Sequence, residues 1–172
     1  MTLLVCPLSQ VEAARALHRP SHLISLLSPT SSVETWPAAE PGEACLRLAF
    51  HDIAEPRPGL TAPSAALVSH LLTFAEAWDG ARPMLVHCWA GVSRSTAAAF
   101  IIACQRAPER AEQEIGQALR AAAPYATPNP LLVSLADTAL GRDGRMSKAI
   151  ADIGRGADAF EGALFALSSW DG

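Results

Sequence analysis

Apolar positions fall into short runs and helical stripes that alternate along the chain. Residues 3–5 (Leu-Leu-Val), the run His22-Leu-Ile-Ser-Leu-Leu27, residues 45–50 with Arg47 as a polar interruption, and Met84-Leu-Val-His87 read as strands. Between them, Val11, Ala14 and Leu17 share one helical face over residues 10–18, with Ser9 as N-cap. Leu67, Leu71, Phe74 and Trp78 repeat at helical spacing in a helix that opens at Pro63 or Ser64 and closes at Asp79-Gly80. Helical patterns continue over 95–106, which Pro108 stops, then over 109–122 and over 130–140, where Pro128 and Pro130 mark the start. Strand-then-helix alternation predicts an α/β fold, a central mostly parallel sheet flanked by helices in a single domain. Residues 28–42, rich in Ser, Pro and Glu around Trp36, and the segment after Asp52, broken by Pro56, Pro58 and Gly59, read as loops. Past the turn at 141–144, Met146, Ala149, Ile150 and Ile153 suggest one more helix. Phe160, Leu164, Phe165, Leu167 and Trp170 then read as packing back on the domain or pairing two copies. The expected division is a main domain at 1–140 and a helical extension at 141–172 packed on it.

Composition adds limits. The 172 residues are 50% hydrophobic and 17% charged, enough apolar surface for a core without disulfide or metal staples. A net charge of −4 offers no broad footprint for nucleic acid or an anionic membrane, so no nucleic-acid partner is expected. The first residues lack a basic leader and Pro7 interrupts their apolar run, and no run approaches the roughly 20 residues of a membrane span; a cytoplasmic protein without membrane contact is expected. Cys6, Cys45, Cys88 and Cys104 show no C-x-x-C spacing, and His18, His22 and His70 show no ligand spacing. Neither a metal site nor any other cofactor is therefore expected.

Candidate chemistry concentrates in His87-Cys-Trp-Ala-Gly-Val-Ser-Arg-Ser-Thr96. A buried strand delivers a short loop containing Gly91, and the loop runs straight into a helix start. Backbone N–H groups curling toward one centre, together with the helix dipole, make such a junction an anion cup. The same field favours the thiolate form of a cysteine at its base, which makes Cys88 the candidate nucleophile. Arg94 can set two parallel donors on the equatorial oxygens of a phosphoryl group, a fork that lysine lacks. Trp89, Ala90, Gly91, Val92 and Ser93 complete the cup as substrate-binding residues. Trp89 reads equally as a lining of the pocket mouth or as packing between loops.

The pattern H-C-x-x-x-x-x-R-S/T after an apolar strand resembles the signature of the protein tyrosine phosphatase superfamily, and H-C-W-A-G-V-S-R-S-T most resembles its dual-specificity branch. The resemblance covers residues 1–140 and lapses beyond Gly141. It implies a cysteine-dependent phosphomonoesterase working through a phosphocysteine, with phosphotyrosine, phosphoserine or phosphothreonine in a phosphoprotein or phosphopeptide as substrate. It also implies a general acid at Asp52, with Glu55 as its rival three residues later; a leaving-group hydroxyl at Ser95; and a supporting role for His87, which organises the cysteine. Asn129 looks like part of the segment that opens the helix behind the loop. Three alternatives stay open. One is a phosphatase of a phosphoinositide or nucleotide, although the loop lacks the lysines common among lipid-directed members. The second is a phospho-residue binding module, and the third a sulfurtransferase, which the long segment after Cys88 disfavours. Cys6, Cys45 and Cys104 read as buried thiols rather than partners of Cys88, and Cys6, at a strand end, is the one to test for a reversible disulfide with Cys88.

Overall fold

The computed structural model describes residues 1–168, and Trp170 lies outside them. Strands β1 (Thr2–Pro7), β2 (His22–Leu27), β3 (Ala44–Ala49), β4 (Met84–Cys88) and β5 (Phe165–Ser168) form one sheet in the order β3-β2-β4-β1-β5. β1, β2, β3 and β4 are mutually parallel, whereas β5 runs antiparallel to β1. Burial follows position in the sheet. β4 is buried along its whole length and β1 and β2 almost so, which is why they read as apolar runs broken only by Ser25 and His87 within them; the edge strands β3 and β5 are largely open.

Side chains alternate between the two faces of each strand, and the two faces carry different covers. Leu3, Val5, Ile24, Leu26, Met84, Val86 and Cys88 point into the larger core, shared with α2 (Ala65–Glu76), α3 (Arg94–Arg106), α4 (Glu112–Ala122), α5 (Pro130–Ala139) and α6 (Arg145–Ile153). Leu4, Cys6, Leu23 and Leu85 face the other way, under Val11 and Ala14 of α1 (Val11–His18). α3 is buried on every side through its run from Ala97 to Ala103, so it reads as apolar all round rather than striped.

Several local expectations change. Ser9 does not cap α1; a 3-10 turn, Leu8–Gln10, leads into the helix and Ser9 donates to Glu161 at 2.7 Å instead. α2 is capped by Ser64, which accepts from the Leu67 N–H; it buries Leu71 as expected, with Val68 and Ala75 besides, while Leu67 and Phe74 pack half-buried against the same core. Trp78 lies beyond the helix end, buried, with its indole N–H on the Arg82 carbonyl at 2.8 Å. α4 begins at Glu112, three residues after its expected start at Glu109. The segment after α6 is not helical: residues 155–163 form an extended strap and Phe165–Ser168 becomes the antiparallel edge strand. With four residues and only Leu167 buried, β5 has no periodicity to read; the unpaired edge of β1 makes it a strand.

Candidate active site

The end of β4, the start of α3 and the loop between them build the cup. Gly91 adopts φ +70, and a Cβ there would lie 2.6 Å from the Pro7 nitrogen, so only glycine fits this turn against the end of β1. The loop carbonyls are tied from outside. Trp89 O accepts from Leu8 N at 3.1 Å, Ala90 O from Gly162 N at 2.8 Å, and Val92 O from Thr127 N at 2.9 Å. Thr96 Oγ1 donates to Val92 O and Ser93 O at 2.7 and 2.9 Å. In a trans peptide the N–H points opposite to its carbonyl, so these ties turn the following N–H groups toward the inside of the loop. Gly91 N–H accordingly meets Cys88 Sγ at 3.2 Å.

Cys88 Sγ also lies 3.1 Å from Ser95 Oγ. Ser95 is the second residue of α3 rather than its N-cap; that position belongs to Ser93, whose hydroxyl donates to Asp52 Oδ1 at 2.8 Å instead of capping the helix. Arg94 is buried, held by a hydrogen bond from one terminal nitrogen to Phe50 O at 3.0 Å and stacked over the Phe50 ring at 5.9 Å. Its Nε is buried and has no hydrogen-bond partner. Such a group costs about 1–3 kcal/mol or more if nothing satisfies it.

Asp52 is drawn onto the cup and Glu55 is not. Asp52 Oδ1 accepts from Ser93 Oγ and from Asn129 Nδ2, each at 2.8 Å, while Oδ2 lies 3.9 Å from Arg94 Nε. Glu55 is exposed and pairs with exposed Arg57 at 3.3 Å. Asn129 uses both ends of its amide. Nδ2 also donates to Ile53 O at 3.1 Å, and Oδ1 accepts from Leu132 N at 2.9 Å as the N-cap of α5 ahead of Pro130. One side chain thus ties the acid-bearing loop to a helix start.

His87 projects from the face of β4 opposite to Cys88. Its Nε2 meets Ser25 Oγ of β2 at 2.7 Å and its Nδ1 faces Cys88 O at 3.4 Å. Because that carbonyl only accepts, the hydrogen sits on Nδ1 and Ser25 donates to Nε2. Burial pushes His87 down to about 4, the Arg15 and Arg94 charges adding to the effect, so the ring is neutral at neutral pH. Ser25, the one hydroxyl in an otherwise apolar strand run, was the sequence signal for this bond and was passed over. Phe50, Thr96 and Thr127 gave none, since carbonyl, hydroxyl and backbone anchors have no fixed spacing from the motif.

A Cys6–Cys88 disulfide does not fit, and Cys6 is a buried thiol. Cys6 belongs to the core under α1 and Cys88 to the opposite one, and burial, with Cys88 nearby, pushes the Cys6 thiol up to about 12. All four cysteines are free. Trp89 is 58% exposed at the rim of the cup. Within the 28–42 loop, Ala38 O accepts from Arg15 and Pro37 O from Arg47; these bonds draw it toward α1 and the outer strand β3.

No protein-family model and no curated protein matches the chain. Solved structures do. DUSP15 superposes with a TM-score of 0.61 at 18% identity, covering 87% of this chain and 90% of that one. The fold is that of the dual-specificity phosphatases. Human DUSP28 shares this phosphatase fold with a TM-score of 0.58 at 21% identity, covering 81% of this chain and 90% of its own. PTPMT1, solved in complex with PI(5)P, gives 0.58 at 17% identity over 87% of this chain and 92% of its own. Among the described residues, no helix is long and apolar enough to cross a membrane.

Proposed function

We propose that the chain is a cysteine-dependent phosphomonoesterase that removes phosphate from phosphotyrosine, and from phosphoserine or phosphothreonine, in proteins. The observation that carries the reading is the buried Nε of Arg94, which has no hydrogen bond and only the Asp52 carboxylate at 3.9 Å, on the same loop as Cys88 Sγ with its Gly91 N–H contact. Equatorial phosphoryl oxygens are acceptors of the right charge for that nitrogen and for the loop N–H groups. In the proposed reaction the Cys88 thiolate attacks phosphorus and the ester P–O bond breaks as the S–P bond forms. Asp52, through Oδ2, gives its proton to the leaving oxygen. It then takes a proton from water, which attacks the phosphocysteine and releases phosphate. Ser95 O–H donates to the departing Cys88 sulfur. No metal or organic cofactor enters either step, so activity is expected to resist EDTA.

Trp89, exposed at the rim, suits stacking on the ring of an aryl phosphate. A second reading, a phosphoinositide phosphatase, draws on the likeness to PTPMT1, but Trp89, Ala90, Val92 and Ser93 supply no lysine for an inositol headgroup. Four free thiols support a reducing compartment such as the cytoplasm. The test is phosphate release by the wild type and by Cys88→Ser from an aryl phosphate, a phosphopeptide panel and phosphoinositide vesicles. Hydrolysis of phosphotyrosyl peptides that disappears in Cys88→Ser is expected. Preference for vesicles would overturn the substrate class, and phosphopeptide binding without any hydrolysis would make the chain a binding module.

A further inference from the structure

The C-terminal strap reaches the catalytic loop through one backbone group, the Gly162 N–H on Ala90 O at 2.8 Å. The carbonyl it holds belongs to the Ala90–Gly91 peptide, whose N–H is the one aimed at Cys88 Sγ. Rotating that peptide about its long axis changes chiefly ψ of Ala90 and φ of Gly91. Most residues resist such a flip because one outcome forces φ into the left-handed region. Gly91, at φ +70, tolerates either sign. The glycine that the turn requires therefore leaves a loose joint in the cup. In the flipped state the Ala90 oxygen would face the sulfur and the phosphoryl oxygens, replacing attraction with repulsion.

We infer that the Gly162 N–H is a positioning donor that locks the Ala90–Gly91 peptide with its N–H inside the phosphate cup. The inference rests on the phosphatase reading above and adds a part of that site contributed from beyond residue 141. The strap is built to deliver this group. A Cβ on Gly162 would lie 2.5 Å from Tyr125 Cε2, so glycine permits the close approach. On either side of Gly162 the chain is anchored. Ala163 N donates to Tyr125 Oη at 2.9 Å, Tyr125 Oη donates to Ala163 O at 2.7 Å, and Glu161 accepts from Ser9. β5 follows immediately and pairs with β1, whose far end meets Gly91. The donor is thus held between two fixed points.

The direct test removes only the N–H. Semisynthesis of the short C-terminal segment with glycolate in place of Gly162 turns that amide into an ester of the same shape. We expect kcat/KM for an aryl phosphate to fall at least tenfold and the inhibition constant of vanadate to rise at least tenfold, with folding retained by circular dichroism. Gly162→Ala and Gly162→Pro give a second comparison, since both place carbon against Tyr125 but only proline removes the donor; the alanine variant should keep the larger share of kcat and of vanadate affinity. Wild-type kcat/KM and vanadate affinity in the ester protein would overturn the inference, as would a fall in melting temperature alone. If the wild-type protein neither hydrolyses phosphate esters nor binds vanadate, the phosphatase reading fails and this inference falls with it.

Discussion

The candidate loop, residues 87–96, and the strap, residues 155–163, meet at one hydrogen bond, yet they are encoded in opposite ways. The loop works through side chains that no other residues replace: a thiol, a guanidinium fork and a glycine at fixed spacing. Its identity is therefore visible from composition and order alone. The strap works through backbone groups that nearly any residue carries, placed by a tyrosine and by two glycines, Gly156 and Gly162, that pack against it. A motif can announce the first kind of contribution and not the second. Changes of side chain should therefore hurt chemistry in the loop and mainly stability in the strap.

The largest expected effect lies in the loop. Cys88→Ser should lower kcat about a thousandfold or more with folding intact, measured by phosphate release and circular dichroism. Next is the other face of the same strand. The unfolded chain protonates His87 below its ordinary 6.5 and the folded chain only near 4, so the unfolded state binds more protons between these values and stability falls as pH falls through them. The loss should approach roughly 3 kcal/mol by pH 4, and His87→Gln should flatten it in urea titrations at pH 7 and pH 4.5. Asp52→Asn should slow hydrolysis of alkyl phosphates about a hundredfold but aryl phosphates with good leaving groups only a few fold, because only the former need the proton. Equal losses on both would remove Asp52 as the acid, and Glu55→Gln showing the selectivity instead would transfer the role.

Asn129 sharpens the comparison from between the two regions. Asn129→Asp keeps an acceptor for the Leu132 N–H but sets a carboxylate against Asp52, so it should cost about tenfold in kcat and little in stability. Asn129→Ala should cost kcat and also about 1 kcal/mol of stability from the lost cap. The smallest effect belongs to the strap. Tyr125→Phe keeps the ring beside Gly162 and loses both bonds to Ala163, and should lower stability by about 1 kcal/mol with kcat within threefold. A larger loss of kcat than of stability would show that the Tyr125 bonds are needed to hold the Gly162 donor in place.

Strands buried on both faces were legible because Leu23–Leu27 and Met84–Cys88 are apolar runs interrupted only by Ser25 and His87, and the helix starts at Ser64 and Asn129 carry residues that cap. Of the stripe expected along α2, Leu71 and Trp78 are buried, but Val68 and Ala75 go deeper than Leu67 and Phe74, because pattern alone does not rank apolar neighbours and only the fold chooses between them. The expected place of Asp52 just past a strand end agrees with the structure, which adds what holds the side chain, Ser93 and Asn129; its role as the acid is part of the proposal. The sequence marks Ser93 as a substrate-binding residue of the cup, and its bond to Asp52 has no local trace because the partner lies 41 positions upstream. The fold of 155–168 depends on contacts with residues distant in sequence, and local pattern carries none of them.

The pairing of β5 with β1 joins Thr2 to Ser168, 166 positions later. Closing so long a loop is entropically slow, and β1 must already lie against β4 to present the edge that β5 takes. During synthesis Cys88 and Arg94 leave the ribosome well before Gly162 does. A nascent chain can therefore shape the thiol pocket early, but under the proposed latch the Ala90–Gly91 peptide stays unheld until Gly162 and β5 have emerged.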